Sequence, residues 1–103
     1  MRFSKNDVVL LPIPFTDLTS RKVRPAVVIG RHGADLFVVP ITSQLANTDF
    51  PLKDWKAAGL NVACGIKAQI ATVEASLVIK SVGRLSVVDQ QTLADRLRIW
   101  LEI

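Results

Sequence analysis

One cysteine, Cys64, and one histidine, His32, are all that the chain has of the two most versatile metal-binding residue types. A single cysteine cannot form a disulfide within the chain or build a cysteine-based metal site. A single histidine excludes a histidine-rich metal site and any mechanism that divides acid and base between two histidines. The carboxylates are scattered along the chain, so no metal or other cofactor is expected. Long apolar runs are missing as well. The N-terminal run Val8-Val9-Leu10-Leu11 follows Asp7 and is interrupted by Pro12 and Pro14. It is too short and too broken for a signal peptide or a membrane span, and the expected location is the cytoplasm. There is no internal repeat and no low-complexity tract, and 103 residues suit one domain spanning 1–103.

What is present is half apolar, with 21% charged residues, a balance that favours a packed core over disorder. The formal net charge of +4 permits binding to a polyanion without proving it. Short apolar runs separated by turn residues predict a mainly β domain. The first strand is expected from Val8 to Phe15, with an edge or bend where Pro12 and Pro14 lack amide donors. The second runs from Ala26 to Ile29 and the third from Leu36 to Ile41, joined as a hairpin through Arg31 to Asp35. Asp54 to Ala58 reads as a helical turn or two, with Gly59 suited to a left-handed C-terminal position. Two further strands are expected near Ile66 to Val73 and Leu77 to Val82, the second broken by Gly83. The end of the chain is the clearest helix, about 87–101. Ser86 caps it, Asp89 completes a variant capping box, and Leu93, Leu97, Trp100 and Leu101 form one apolar stripe. Such a helix needs a surface to cover, and the simplest architecture is a strongly bent antiparallel sheet or barrel closed by it.

Two places carry groups suited to phosphate chemistry. Arg21-Lys22-Val23-Arg24-Pro25 leads into the second strand, and Thr42-Ser43-Gln44 leaves the third. If these strands are hairpin partners, the start of one lies opposite the end of the other, and Arg24 and Thr42 share a rim of the sheet. A planar guanidinium matches phosphate oxygens and stays charged, and a hydroxyl beside it adds a donor. The plain alternatives are a solvated Arg24, a Thr42-Ser43 pair that satisfies turn amides, and solvated Arg21 and Lys22. His32 is expected in a turn, Cys64 as a small buried apolar residue, and Trp100 in the core.

The pattern as a whole resembles the MazF/PemK toxin family. The resemblance is carried by Asp7 through Asp17, by Arg24-Pro25-Ala26-Val27-Val28, by Ile41-Thr42-Ser43-Gln44, by Trp55 to Leu60 and by Gly83-Arg84-Leu85-Ser86, in that order over nearly the whole chain. It implies an SH3-like small β-barrel with a C-terminal helix, a homodimer, and an endoribonuclease that cleaves single-stranded RNA, often mRNA. The implied products are a 2′,3′-cyclic phosphate and a 5′-OH, formed without a metal. An antitoxin protein is the implied partner, with a disordered segment that enters the RNA groove. The family's catalytic arginine and threonine match Arg24 and Thr42. Asp17, Arg21, Lys22, Ser43, Gln44 and Lys67 are the matching candidates for RNA binding.

The chain departs from the family pattern in two places. The loop Leu18-Thr19-Ser20-Arg21-Lys22-Val23 lacks the carboxylate some members carry there, and Asp17 is the nearest acid. After the Ala-Gly-Leu segment, Lys67 is the residue that can stand for an arginine, while Ala68 or Gln69 occupies the neighbourhood of an aspartate. The general base is therefore not fixed by the motif. Two functional readings follow: an RNA-cleaving toxin, and a non-catalytic SH3-like module that holds RNA or an antitoxin peptide without cutting.

Overall fold

The computed structural model describes residues 3–12 and 22–103. The expectations placed on Ile13 to Arg21, including Asp17 and Arg21, lie outside the described residues. Among these residues seven strands and one α-helix follow in the order β1 (Asp7–Pro12), β2 (Val23–His32), β3 (Asp35–Thr42), β4 (Phe50–Pro51), β5 (Gly65–Ile66), β6 (Ala71–Glu74), β7 (Lys80–Arg84) and α1 (Val87–Leu101). All pairings are antiparallel. The sheet order is β4-β5-β3-β2-β1-β7, with β6 also paired to β3.

The central strands are apolar on both faces because both faces are covered. On one face Val8, Val27, Val39 and Ile41 pack with Phe50, Leu52, Ala58, Ile66, Leu85 and Leu93, and α1 lies over them. On the other, Val9, Leu11, Ala26, Val28, Leu36 and Val38 pack with Phe3, flanked by Ala71, Val73, Ala75 and Val78. That is why Ala26-Val27-Val28 reads as a continuous apolar run rather than an alternation: successive side chains point to opposite, equally dry sides. Each fully buried Val or Leu contributes about 1.5–3 kcal/mol relative to exposure. The β2–β3 hairpin closes at His32↔Asp35. Gly33 has φ +61° at the first loop position, the pattern of a type II′ turn.

The expected C-terminal helix is observed over Val87–Leu101, with Leu93 buried and Leu97 and Trp100 packed on the core. Leu101 departs from the expected stripe and is half exposed. The capping box is divided in two. Ser86 Oγ accepts the Asp89 amide at 3.2 Å, but the Asp89 carboxylate turns away from Ser86 and accepts the amides of Lys53 (3.0 Å) and Asp54 (2.9 Å). Buried as it is, Asp89 ties the helix start to the turn at Asp54–Ala58. That turn is not a full helix. It ends in a Schellman closure, with Leu60 N–H donating to Trp55 O and Gly59 N–H to Lys56 O, and Gly59 in the left-handed region at φ +90°.

Three expectations are corrected. The strand expected over Ile66–Val73 is two strands, because β3 pairs with β5 at Ile41–Thr42 and with β6 at Asp35–Val38. The chain leaves after Lys67, whose amide still donates to Pro40 O, and a tight Gln69 N–H to Lys67 O contact turns it back. The strand expected over Leu77–Val82 begins as a 3₁₀ turn at Ala75–Leu77, and β7 extends to Arg84, so Gly83 sits inside the strand rather than ending it. Among the described residues the hydrogen-bonded sheet does not close: no pairing joins β7 to β4 or β6, so the closed barrel is not observed.

Candidate functional site

β2 and β3 pair at Ala26↔Pro40. Two residues further out on each strand, at the same register, Arg24 faces the level of Thr42. β2 also pairs with β1 there, Leu11↔Arg24, and β3 with β5, Thr42↔Gly65. Arg24 and Thr42 thus share one rim, and both line a cavity of about 660 Å³. Its floor includes Leu10, Pro25 and Ile41. Ser43 lies beside Thr42, the loop Leu60-Asn61-Val62 forms one wall, and Lys80, Ser81 and Val82 of β7 form another.

Thr42 Oγ1 accepts the Gln44 amide at 3.1 Å, and Gln44 Oε1 accepts from Asn47 Nδ2 at 2.9 Å. The plain turn role of the hydroxyl is therefore real. It uses a lone pair and leaves the Thr42 O–H as a donor. Arg24 is exposed and has no carboxylate partner among the described residues. Arg84, Arg96 and Arg98, by contrast, are tied to Asp7, Asp49 and Asp95. Lys80 is likewise exposed, and among the described residues it has no partner and no acidic residue lines the cavity. A concave surface whose described lining has cations and hydroxyls but no carboxylate favours an anion.

Of the residues singled out from sequence, the cavity gathers Arg24, Thr42 and Ser43. Lys22 and Gln44 flank it along the chain but do not line it. Lys67 is not brought to it; its amide bonds the β3 backbone beyond β5. His32 ends β2 at the opposite end of the strand from Arg24. Cys64 is buried in the cavity wall, with Sγ 3.2 Å from Val62 O, and burial pushes its thiol pKa up. Sequence reading missed Asn61, Lys80 and Ser81. The available signal was Lys80, a lone cation directly after Leu77-Val78-Ile79. Among the described residues no group of three or more His, Cys, Asp or Glu is placed to hold a metal ion, and no helix is long and apolar enough to cross a membrane.

Fold and site together define a small, mainly β protein with a cavity at its strand ends lined by Arg24, Thr42 and Lys80, and covered on one sheet face by a C-terminal helix. Over residues 4–101 the chain matches the family described as PemK-like, MazF-like toxin of type II toxin-antitoxin system, and it belongs to that family. Its fold is shared by a solved mycobacterial structure, an endoribonuclease in complex with its cognate antitoxin. The TM-score is 0.72 over 100% of this chain and 97% of that one, at 16% sequence identity. No curated protein matches the sequence.

Proposed function

We propose that this chain is the toxin of a type II toxin–antitoxin pair and acts as a metal-independent endoribonuclease on single-stranded RNA, leaving 2′,3′-cyclic phosphate and 5′-OH ends. The observation that carries the reading is the meeting of Arg24 and Thr42 at one cavity whose described lining holds no acid. In this reading Arg24 stabilises the charge that develops on the phosphorane and donates the proton to the leaving 5′-oxygen, while the Thr42 hydroxyl donates to the same phosphate. The described lining supplies no carboxylate or imidazole for the 2′-OH proton; in this reading that proton passes to solvent water, which returns one to Arg24, and the reading asks most of electrostatic stabilisation. Ser43 and Gln44 beside Thr42, Lys22 beside Arg24, and Asp17, Arg21 and Lys67 complete the proposed RNA contacts.

Family membership and the antitoxin-bound structural neighbour support a cognate antitoxin as the partner. We also propose a homodimer, consistent with the exposed Val62, Leu77 and Ile79, and a cytoplasmic location. The test is incubation with single-stranded RNA in EDTA. Fragments whose 5′ ends accept phosphate from a kinase without prior phosphatase treatment are expected. Loss of cleavage in chelator, restored by magnesium or zinc, would overturn metal independence. Tight RNA binding with no fragments under any condition would favour the non-catalytic module, the reading to which the lack of a carboxylate in the described lining points.

A further inference from the structure

We propose that the cavity holds a single nucleotide between two phosphates, with Arg24 on one and Lys80 on the other. This assigns Lys80 as a substrate-binding residue, and it rests on the RNA reading above. The sheet supplies the geometry. Leu10 pairs with Pro25 on one side and with Lys80 on the other, so three strands lie abreast across the cavity floor. Two strand spacings separate the backbones at Pro25 and Lys80, about 9–10 Å. Arg24 at the start of β2 and Lys80 at the start of β7 stand on either side of β1, and both line the cavity, as do Thr42, Ser43 and Ser81.

The volume fits the same picture. About 660 Å³ lies within the range of roughly 300–1,000 Å³ that small-ligand sites occupy, well beyond what one phosphate group needs. Charge points the same way. A phosphodiester carries one negative charge, and no described acid lies between the two cations to offset the second. Two flanking phosphates neutralise both. The apolar floor of Leu10, Pro25 and Ile41 then meets the sugar or base rather than a charge.

The experiment measures affinity for a mixed-sequence 2′-O-methyl oligoribonucleotide, which has no 2′-OH to attack and is not cut, as salt is varied. Each single-strand phosphate contact contributes about −0.7 to the log–log slope. Lys80→Gln is expected to reduce the slope by ~0.7, Arg24→Gln by ~0.7, and the double variant by ~1.4. Arg31→Gln, an exposed cation at the far end of the hairpin, serves as the charge control and should leave the slope unchanged. Circular dichroism confirms that each variant is folded. If Lys80→Gln binds with wild-type affinity and slope, or the double variant loses no more than a single one, the two-phosphate assignment is wrong. Failure of the wild type to bind the oligonucleotide overturns it as well. If the predicted slopes appear but the wild type never cuts unmodified RNA, the nuclease reading fails and the two-phosphate site stands.

Discussion

Gly59 and Gly83 meet backbone to backbone. A Cβ on Gly59 would fall 2.1 Å from the Val82 carbonyl oxygen, and a Cβ on Gly83 would fall 2.2 Å from the Ala58 carbonyl oxygen. This contact seats the turn ending at Gly59 directly against β7. The residues on either side, Leu60-Asn61-Val62 and Lys80-Ser81-Val82, are two walls of the cavity. Neither partner has a flexible side chain that can yield.

Gly83→Ala should therefore cost about 1–3 kcal/mol through overpacking against rigid backbone. For a domain of this size each kcal/mol lowers Tm by roughly 4–8 °C. Gly59→Ala should cost at least as much, because its φ of +90° adds strain to the same clash. Thermal unfolding checks both. A Gly83→Ala protein with wild-type Tm and unchanged RNA affinity would show that the contact does not set the cavity wall.

Asp89 offers a second stability test away from the cavity. Its carboxylate accepts two backbone amides from a turn more than 30 residues away, 3.0 and 2.9 Å distant. Asp89→Ala leaves two partly buried amide donors without their acceptor, at about 1–3 kcal/mol each when a group stays dry. Asp89→Asn keeps one acceptor oxygen and should lose less. Urea unfolding of the two variants should rank them in that order, and equal midpoints would argue against the tie.

How much was legible in the sequence follows from where the determinants sit. The β2–β3 hairpin and the C-terminal helix depend on local pattern: apolar runs on either side of Gly33, and Ser86 ahead of the Leu93 to Trp100 stripe. The rim at Arg24 and Thr42 followed from hairpin geometry alone. The wall at Lys80 and Ser81 depends on β7 pairing with β1, some 70 residues earlier, and no local signal specifies that partner. In sequence Gly83 looks like a strand breaker because its lack of a side chain weakens strands; in the fold its use is the close approach of Ala58. Local pattern directs Asp89 toward Ser86 because the capping box is a local rule, while the amides it serves come from a distant turn.

Cys64 gives a prediction with a pH dependence. Burial pushes its thiol pKa up, so at neutral pH little thiolate is present and little of it is reachable. Alkylation of native protein should be slow and should speed up sharply in denaturant. The folded-state value lies above the unfolded one. The thiol's contribution to stability is therefore fully present below the unfolded value, and it is lost as pH rises through the folded value. Unfolding free energy should thus decline in the alkaline range by more in the wild type than in Cys64→Ala. Rapid native alkylation at neutral pH would contradict this burial.

The decisive chemical test concerns Arg24 and Thr42. Removing one preorganised donor from a site that stabilises developing charge typically costs about 10²–10³ in rate, or roughly 3–4 kcal/mol. Arg24 is exposed and unpaired among the described residues, so Arg24→Ala should leave the fold intact while single-turnover cleavage falls by that order. Arg24→Lys should recover little, because an ammonium lacks the planar fork. Thr42→Val removes the donor but also the acceptor for the Gln44 amide. Thr42→Ser, which keeps both, separates chemistry from the turn: it should cut near the wild-type rate where Thr42→Val does not. The double variant Arg24→Ala with Thr42→Val should lose less than the product of the single losses, because both groups act on one transition state. Wild-type rates in both Arg24→Ala and Thr42→Val would move the chemistry elsewhere, toward Asp17 and Lys67.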